Sequence, residues 1–195
     1  MKAKREDRQA RQSAWDPRKP VFPDGIRAGT NMTRTHGRCL QGRRLAMHVP
    51  QSHWKTTTFT VSLRVEGPTA PTVVDGPMTG DVFVAYIGQQ PVPTWKPGDI
   101  VAMDNPSSHK RGAVKTAIEA AGAELRYLPP YSPDLDPIEK AFGKLKAKLR
   151  AAELRTVTEL EDFPGQVPDA FTPDECENHF KSSGYPPATS TLEPR

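Results

Sequence analysis

The feature that most constrains what this chain can fold into is a four-residue apolar run, Ile100-Val101-Ala102-Met103, that ends on Asp104. A strand that is apolar at every position has both faces covered, the habit of a parallel strand between layers of helices. Beyond it, Ser107 and Ser108 are good N-caps, and Val114, Ala117, Ile118 and Ala121 recur at helical spacing until Gly122 ends the pattern. Leu125 to Leu128 predicts the next strand, so strand, helix and strand make a right-handed parallel crossover. Pro129, Pro130 and Pro133 stop that strand, and a last helix starts at Pro137 with Ile138, Phe142, Leu145 and Leu149 on its buried stripe. Ligands in such sheets gather at the carboxyl ends of the strands, so Asp104 faces a site rather than the core. Glu139 lies beside the buried stripe, in the first turn of the last helix.

Two carboxylates from distant parts of the chain can thus share one site. With no Cys/His ligand cluster in the sequence, carboxylate oxygens suit the hard ions Mg²⁺ and Mn²⁺ rather than zinc. Two such ions, roughly 3.5–4 Å apart, clamp the attacking and leaving oxygens of a phosphodiester in line. That chemistry needs a third acid, which should come from an earlier strand.

Two long blocks carry a family resemblance: Asp104-Asn105-Pro106-Ser107-Ser108-His109-Lys110, and Pro129-Pro130-Tyr131-Ser132-Pro133-Asp134-Leu135-Asp136-Pro137-Ile138-Glu139. They resemble the second and third signature blocks of bacterial insertion-sequence transposases of the mariner-like superfamily, which are DDE enzymes with a ribonuclease H-like catalytic fold. Thirty-four residues separate Asp104 from Glu139, the spacing of that family. Shorter matches at Thr30 to Arg38, Gly42 to Leu45, His53 to Thr56, Asp75 to Pro77 and Phe171 to Cys176 extend the resemblance over roughly Val21 to Tyr185.

The resemblance implies metal-dependent DNA strand cleavage and strand transfer. Asp24, Asp104 and Glu139 would be the catalytic residues and the ligands of two Mg²⁺ or Mn²⁺ ions, and transposon ends and target DNA would be partners. In the family the first Asp ends an opening strand and is followed by Glu; here the context is Val21-Phe22-Pro23-Asp24-Gly25-Ile26. Pro23 removes a ladder donor and Gly25 loosens the backbone, so a short or irregular strand is expected around Asp24. Asp136 stands where the family usually has Asn, and both residue types cap helices.

Structural roles compete for several of these residues. With Asp136 as N-cap and Pro137 as first helical residue, Glu139 falls at the capping-box position. A lone Asp at a strand end, as at 104, often serves the turn that follows. Asp24 taken alone is an ordinary loop acid, and Asp75 in Val74-Asp75-Gly76-Pro77 is a turn former. His109 is either near the site or a solvated helix-end histidine.

Charge is unevenly distributed. The formal net charge is +4, but residues 151–195 hold nine acidic and three basic side chains, a balance of −6, which leaves +10 on residues 1–150. In the last helix Lys140, Lys144 and Lys148 repeat every fourth residue, a stripe that can neutralise DNA phosphates or simply be a solvated face.

One α/β domain is expected over 21–183: a ribonuclease H-like, mixed five-stranded sheet flanked by helices. Its first three strands are the opening strand, Leu45 to Val49 and Thr57 to Val65, and Thr79 to Gln90 is its first helix, cut short by Pro91 and Pro93. Residues 1–20 read as a charged linker or frayed helix and 184–195 as a disordered tail. Cys39 and Cys176 are too far apart in sequence to suggest a metal or disulfide framework, and no signal peptide or membrane span is visible, which points to the cytoplasm.

The resemblance also implies a helix-turn-helix module for recognising element ends, and the residues before Val21 leave no room for it, so the expectation is a catalytic domain without its targeting half. Three function classes stay open: the strand-transfer enzyme, a non-catalytic remnant that binds DNA or an intact transposase nonspecifically, and a host nuclease of the same fold.

Overall fold

In the computed structural model, residues 2–51, 54–104 and 111–188 are described. Helix α1 (Lys2–Gln12) leads into β1 (Pro20–Gly29), β2 (Thr56–Arg64), β3 (Gly67–Asp75), α2 (Gly80–Gln89), β4 (Ile100–Met103), α3 (Arg111–Ala120), β5 (Glu124–Tyr127), α4 (Pro137–Ala152), α5 (Val157–Asp162) and α6 (Pro173–Ser182). The five strands form one sheet in the order β3-β2-β1-β4-β5. β1, β2 and β3 form an antiparallel meander, and β4 and β5 run parallel to β1. This is the expected mixed sheet.

Alternation along the strands builds two cores. Phe22, Ile26, Phe59, Val61, Leu63 and Ala102 point to the face covered by α4, where Ile138, Phe142, Leu145 and Leu149 are buried together with Phe163 and Phe180. Val21, Val101 and Met103 point to the other face, against Tyr86 and Ile87 of α2 and Val114 and Ile118 of α3. The run 100–103 is apolar throughout because helices cover both of its faces. Phe142 is 1% exposed, and truncating such a side chain to alanine typically costs about 3–5 kcal/mol.

Several expectations change. Leu45 to Val49 is not a strand: residues 31–51 contain no helix or strand, and Leu45, Met47 and Val49 are exposed, since no neighbouring strand takes their backbone groups or side chains. The fifth strand is instead β3, whose Pro68 and Pro71 speak against a strand in sequence. Its place at the sheet edge tolerates missing donors, and a bulge places both Ala70, at φ 51°, and Pro71 between the pairs Thr60–Thr72 and Ser62–Thr69. Finally, the amino-terminal segment is a docked helix. Arg5 bonds to Asp134 at 2.7 and 3.0 Å and to the Ser132 hydroxyl at 2.8 Å, and Gln12 donates to the Ser183 carbonyl at 2.8 Å.

At the other end, Tyr185 is buried among Phe22, Phe180 and Trp15, inside the stretch expected to be a tail. The rest of that stretch, from 189, lies outside the described residues. Among the described residues no helix is long and apolar enough to cross a membrane.

Candidate active site

Strand register sets two of the three expected acids level with each other. β1 and β4 are parallel with Val21 opposite Val101, so Asp24 and Asp104 each stand three residues beyond that pair, Asp104 just past the end of β4 and Asp24 within β1, which runs on to Gly29. Asp24 shares the parity of Phe22, and Asp104 that of Ala102, which directs both towards the face covered by α4. The start of α4 supplies the third. Asp136 caps it by accepting from the Ile138 amide at 3.3 Å, Pro137 pre-sets the first turn, and Glu139 is exposed in that turn. Burial of Ile138 pins the turn against the sheet.

Electrostatics shows how closely the acids crowd. The Asp24 carboxyl is half-buried and pushed up to about 7, first by burial; the Gly25 amide, donating to it at 2.7 Å, opposes the shift, Glu139 and Asp104 add to it, and Lys146 opposes it. Asp136 is held well above the usual carboxylate range, first by burial and then by Asp24, with Asp104 and Glu139 contributing, while the Ile138 amide opposes the shift. Four acids therefore share one locality. Asp136, whose role is read in sequence as capping alone, belongs to it.

The strand around Asp24 is neither short nor irregular, contrary to expectation. β1 pairs without a break with β2 from Phe22 to Gly29, including Pro23 opposite Ser62. Pairing with β4 stops at Val21, so β4 makes no ladder demand on the proline. Gly25 is required by β2: an added Cβ would meet the Thr60 methyl at 2.9 Å and the Thr58 methyl at 3.3 Å. A cavity of about 290 Å³ is lined by Asp24, Asp104, Thr58, Thr60, Phe83 and Met103.

The lysine stripe is oriented differently from a free DNA-binding face. Lys140 donates to the Ser182 and Ser183 hydroxyls at 2.8 and 2.9 Å, and Lys144 pairs with Glu175 at 2.5 Å and lies over the Phe171 ring. Both are occupied in the seam between α4 and α6, and only Lys148 of the three is exposed. A cation that favours the Asp24 anion is Lys146, seven residues after Glu139, two helical turns along the same face. That spacing is the sequence signal for it. His109 lies outside the described residues.

Among the described residues, no three His, Cys, Asp or Glu side chains form a ready-made metal-binding group. The donor chemistry nevertheless fits a hard cation. Asp24, Asp104 and Glu139 offer only oxygen, and their mutual repulsion, which adds to the burial that raises the Asp24 carboxyl, is what a divalent ion offsets.

Residues 19–161 match the family model described as DDE superfamily endonuclease. The comparison with curated proteins returned no match. Among solved structures, the Mos1 mariner paired end complex with Mn is 15% identical, with a TM-score of 0.73 over 94% of this chain and 58% of that one. The paired end complex with Mg is 18% identical, with a TM-score of 0.64 over 94% and 61%. The catalytic domain of Mos1 mariner transposase is 16% identical, with a TM-score of 0.59 over 95% and 92%. The likeness is one of fold, ribonuclease H-like, and this chain spans about six-tenths of the length of the paired-end chains.

Proposed function

This chain belongs to the DDE superfamily endonucleases, and we propose that it is the catalytic domain of an insertion-sequence transposase that cuts DNA at a transposon end and joins it to target DNA. The observation that carries the reading is the strand register that sets Asp24 level with Asp104, with both Asp104 and Glu139 helping to raise the Asp24 carboxyl. Three acids from separate elements have no structural need to meet there, since helix capping at α4 is done by Asp136.

In this reading Asp24, Asp104 and Glu139 would hold two Mg²⁺ or Mn²⁺ ions, which would supply activation of the attacking oxygen and charge stabilisation of the leaving oxygen. Mos1 paired end complexes solved with Mn and with Mg support that choice. Asp24 must release its proton before it can serve as a ligand. Lys146 favours that release and lowers the net negative charge that an incoming phosphodiester meets. In the first reaction a water oxygen bonds to phosphorus and releases one proton to solvent, while the bond to the 3′ oxygen breaks and that oxygen takes up a proton from solvent, giving a 3′ hydroxyl and a 5′ phosphate. In the second, that 3′ hydroxyl loses its proton to solvent as its oxygen bonds to a target phosphorus, and the displaced target 3′ oxygen takes up a proton to leave as a hydroxyl. The exposed carboxylates of Asp104 and Glu139 face a surface that a duplex can approach. The partners are transposon-end and target DNA, with a second copy or an intact transposase as assembly partner, and the place of action is the cytoplasm.

The test is Mn²⁺-dependent nicking of supercoiled DNA. Wild-type protein is expected to nick, and Glu139→Gln to abolish nicking while DNA binding persists. Nicking that survives Glu139→Gln, or wild-type protein that binds DNA without nicking it in Mn²⁺ or Mg²⁺, overturns the reading; the second outcome is that of a non-catalytic remnant.

A further inference from the structure

We propose that the groove between α1 and the end of β5 binds an unpaired DNA strand and leads it to the catalytic edge, an inference that rests on the DNA-cutting role above. The groove encloses about 720 Å³. Lys4, Arg8, Arg11 and Arg126 line it against one acid, Asp7, and Trp15 and Tyr127 add aromatic surface above a floor of Leu128, Pro129 and Pro130. Cations along a track with aromatic side chains between them are what holds a single strand: the cations meet phosphates and the rings stack on bases, which a duplex keeps paired inside.

The groove is a built feature. Its α1 wall is tied down by Arg5 to Ser132 and Asp134, by Arg8 to the Tyr185 hydroxyl at 3.1 Å and by Gln12 to the Ser183 carbonyl. Lys4, Arg11 and Arg126 are its exposed cations, whereas Arg8 is buried and lies over the Trp15 ring at 4.4 Å. Arg11 pairs with Asp7 one helical turn away and Arg126 pairs with Glu124, both at exposed positions, and exposed pairs of this kind are weak enough to yield to phosphate. The groove also lies where a strand is needed. Tyr127 is the register partner of Met103, the residue before Asp104, and Tyr131, 87% exposed, follows the lining residue Pro130 in the segment between β5 and α4.

A short fluorescein-labelled oligothymidine and its duplex counterpart are titrated by anisotropy across a salt series, without divalent metal. The single strand is expected to bind more tightly than the duplex. Tyr127→Ala should weaken single-strand binding about 5- to 100-fold. Arg11→Ala with Arg126→Ala should reduce the slope of log affinity against log salt by about 1.4, or about 0.7 for each phosphate that these arginines no longer neutralise. Wild-type protein photocrosslinked to an iododeoxyuridine-containing strand should carry the adduct on Tyr127 or Trp15, a measurement that no folding defect can affect. Adducts elsewhere, or single-strand affinity indifferent to Tyr127→Ala, overturn the groove. Nicking that depends on Glu139 alongside such indifference leaves the active-site reading standing. Groove-dependent strand binding without Glu139-dependent nicking overturns the active-site reading and leaves the groove.

Discussion

Gly25 and Thr60 occupy one space between β1 and β2: a Cβ on the glycine would stand 2.9 Å from the threonine methyl. Overpacking of this kind typically costs about 1–3 kcal/mol, so Gly25→Ala should lower the stability measured by urea unfolding. Thr60→Ser keeps the hydroxyl that donates to the Thr72 carbonyl at 3.2 Å and removes the clashing methyl. The two changes together should therefore recover at least about 0.5 kcal/mol relative to their sum. Strict additivity would show that the clash is relieved elsewhere. Gly25→Glu, the residue expected at this position from the family resemblance, should lower the melting temperature rather than improve ion binding.

The Asp24 carboxyl gives a pH signature. Its folded value of about 7 lies above that of an unfolded aspartate, so between about pH 4 and about pH 7 the folded chain holds a proton that the unfolded chain has released. The contribution is fully favourable below that window, declines as pH rises through it, and stays lost above it. Asp24→Asn should flatten this part of the stability profile and gain on the order of 2 kcal/mol at about pH 8, allowing for the half-open position of the side chain. Identical profiles for the two proteins between about pH 5 and about pH 8 would falsify the assignment. If Asp24 is a ligand, Mn²⁺ affinity measured by calorimetry should rise with pH through about 7, with proton release.

Lys146 should tune that value, whereas Lys140 and Lys144 should not. Lys146→Ala removes a lysine that favours the Asp24 anion, so the Asp24 midpoint followed by carboxyl carbon NMR should move up. Lys144→Ala breaks the Glu175 pair and should leave the midpoint in place while speeding amide exchange in α6. A shift caused by Lys144→Ala and not by Lys146→Ala would reverse the assigned orientation of α4.

Arg5 couples the amino-terminal helix to the segment before Glu139. It bonds bidentately to Asp134 and also to the Ser132 hydroxyl and the Tyr131 carbonyl. Arg5→Lys keeps the charge but loses the fork, and is expected to raise amide exchange in both Lys2–Gln12 and Ser132–Asp136. Exchange that changes in α1 alone would show that the 132–136 segment holds its shape unaided.

Local pattern alone determines much of this protein. The apolar run 100–103, the helical spacing from Val114 to Ala121, and Asp136-Pro137 opening a helix with Ile138, Phe142, Leu145 and Leu149 inward are all stated by neighbouring residues, because caps and periodicity act within a few positions. Asp104 at a strand end and Glu139 in a first turn follow from those elements. What only the tertiary structure decided depends on residues distant in sequence. Pro68 and Pro71 are tolerable because β3 is the sheet edge and bulged, which its own sequence does not reveal. An apolar stretch such as Leu45 to Val49 becomes a strand only when a neighbour is there to pair with it. Gly25 is explained by methyl groups on another strand, and the use of Lys140 and Lys144 by partners on α6 and just beyond it. A residue's own pattern sets the backbone it prefers, but the side chains that meet it across the sheet or from the next helix set the space and charge it works in, and those meet only when the chain has folded.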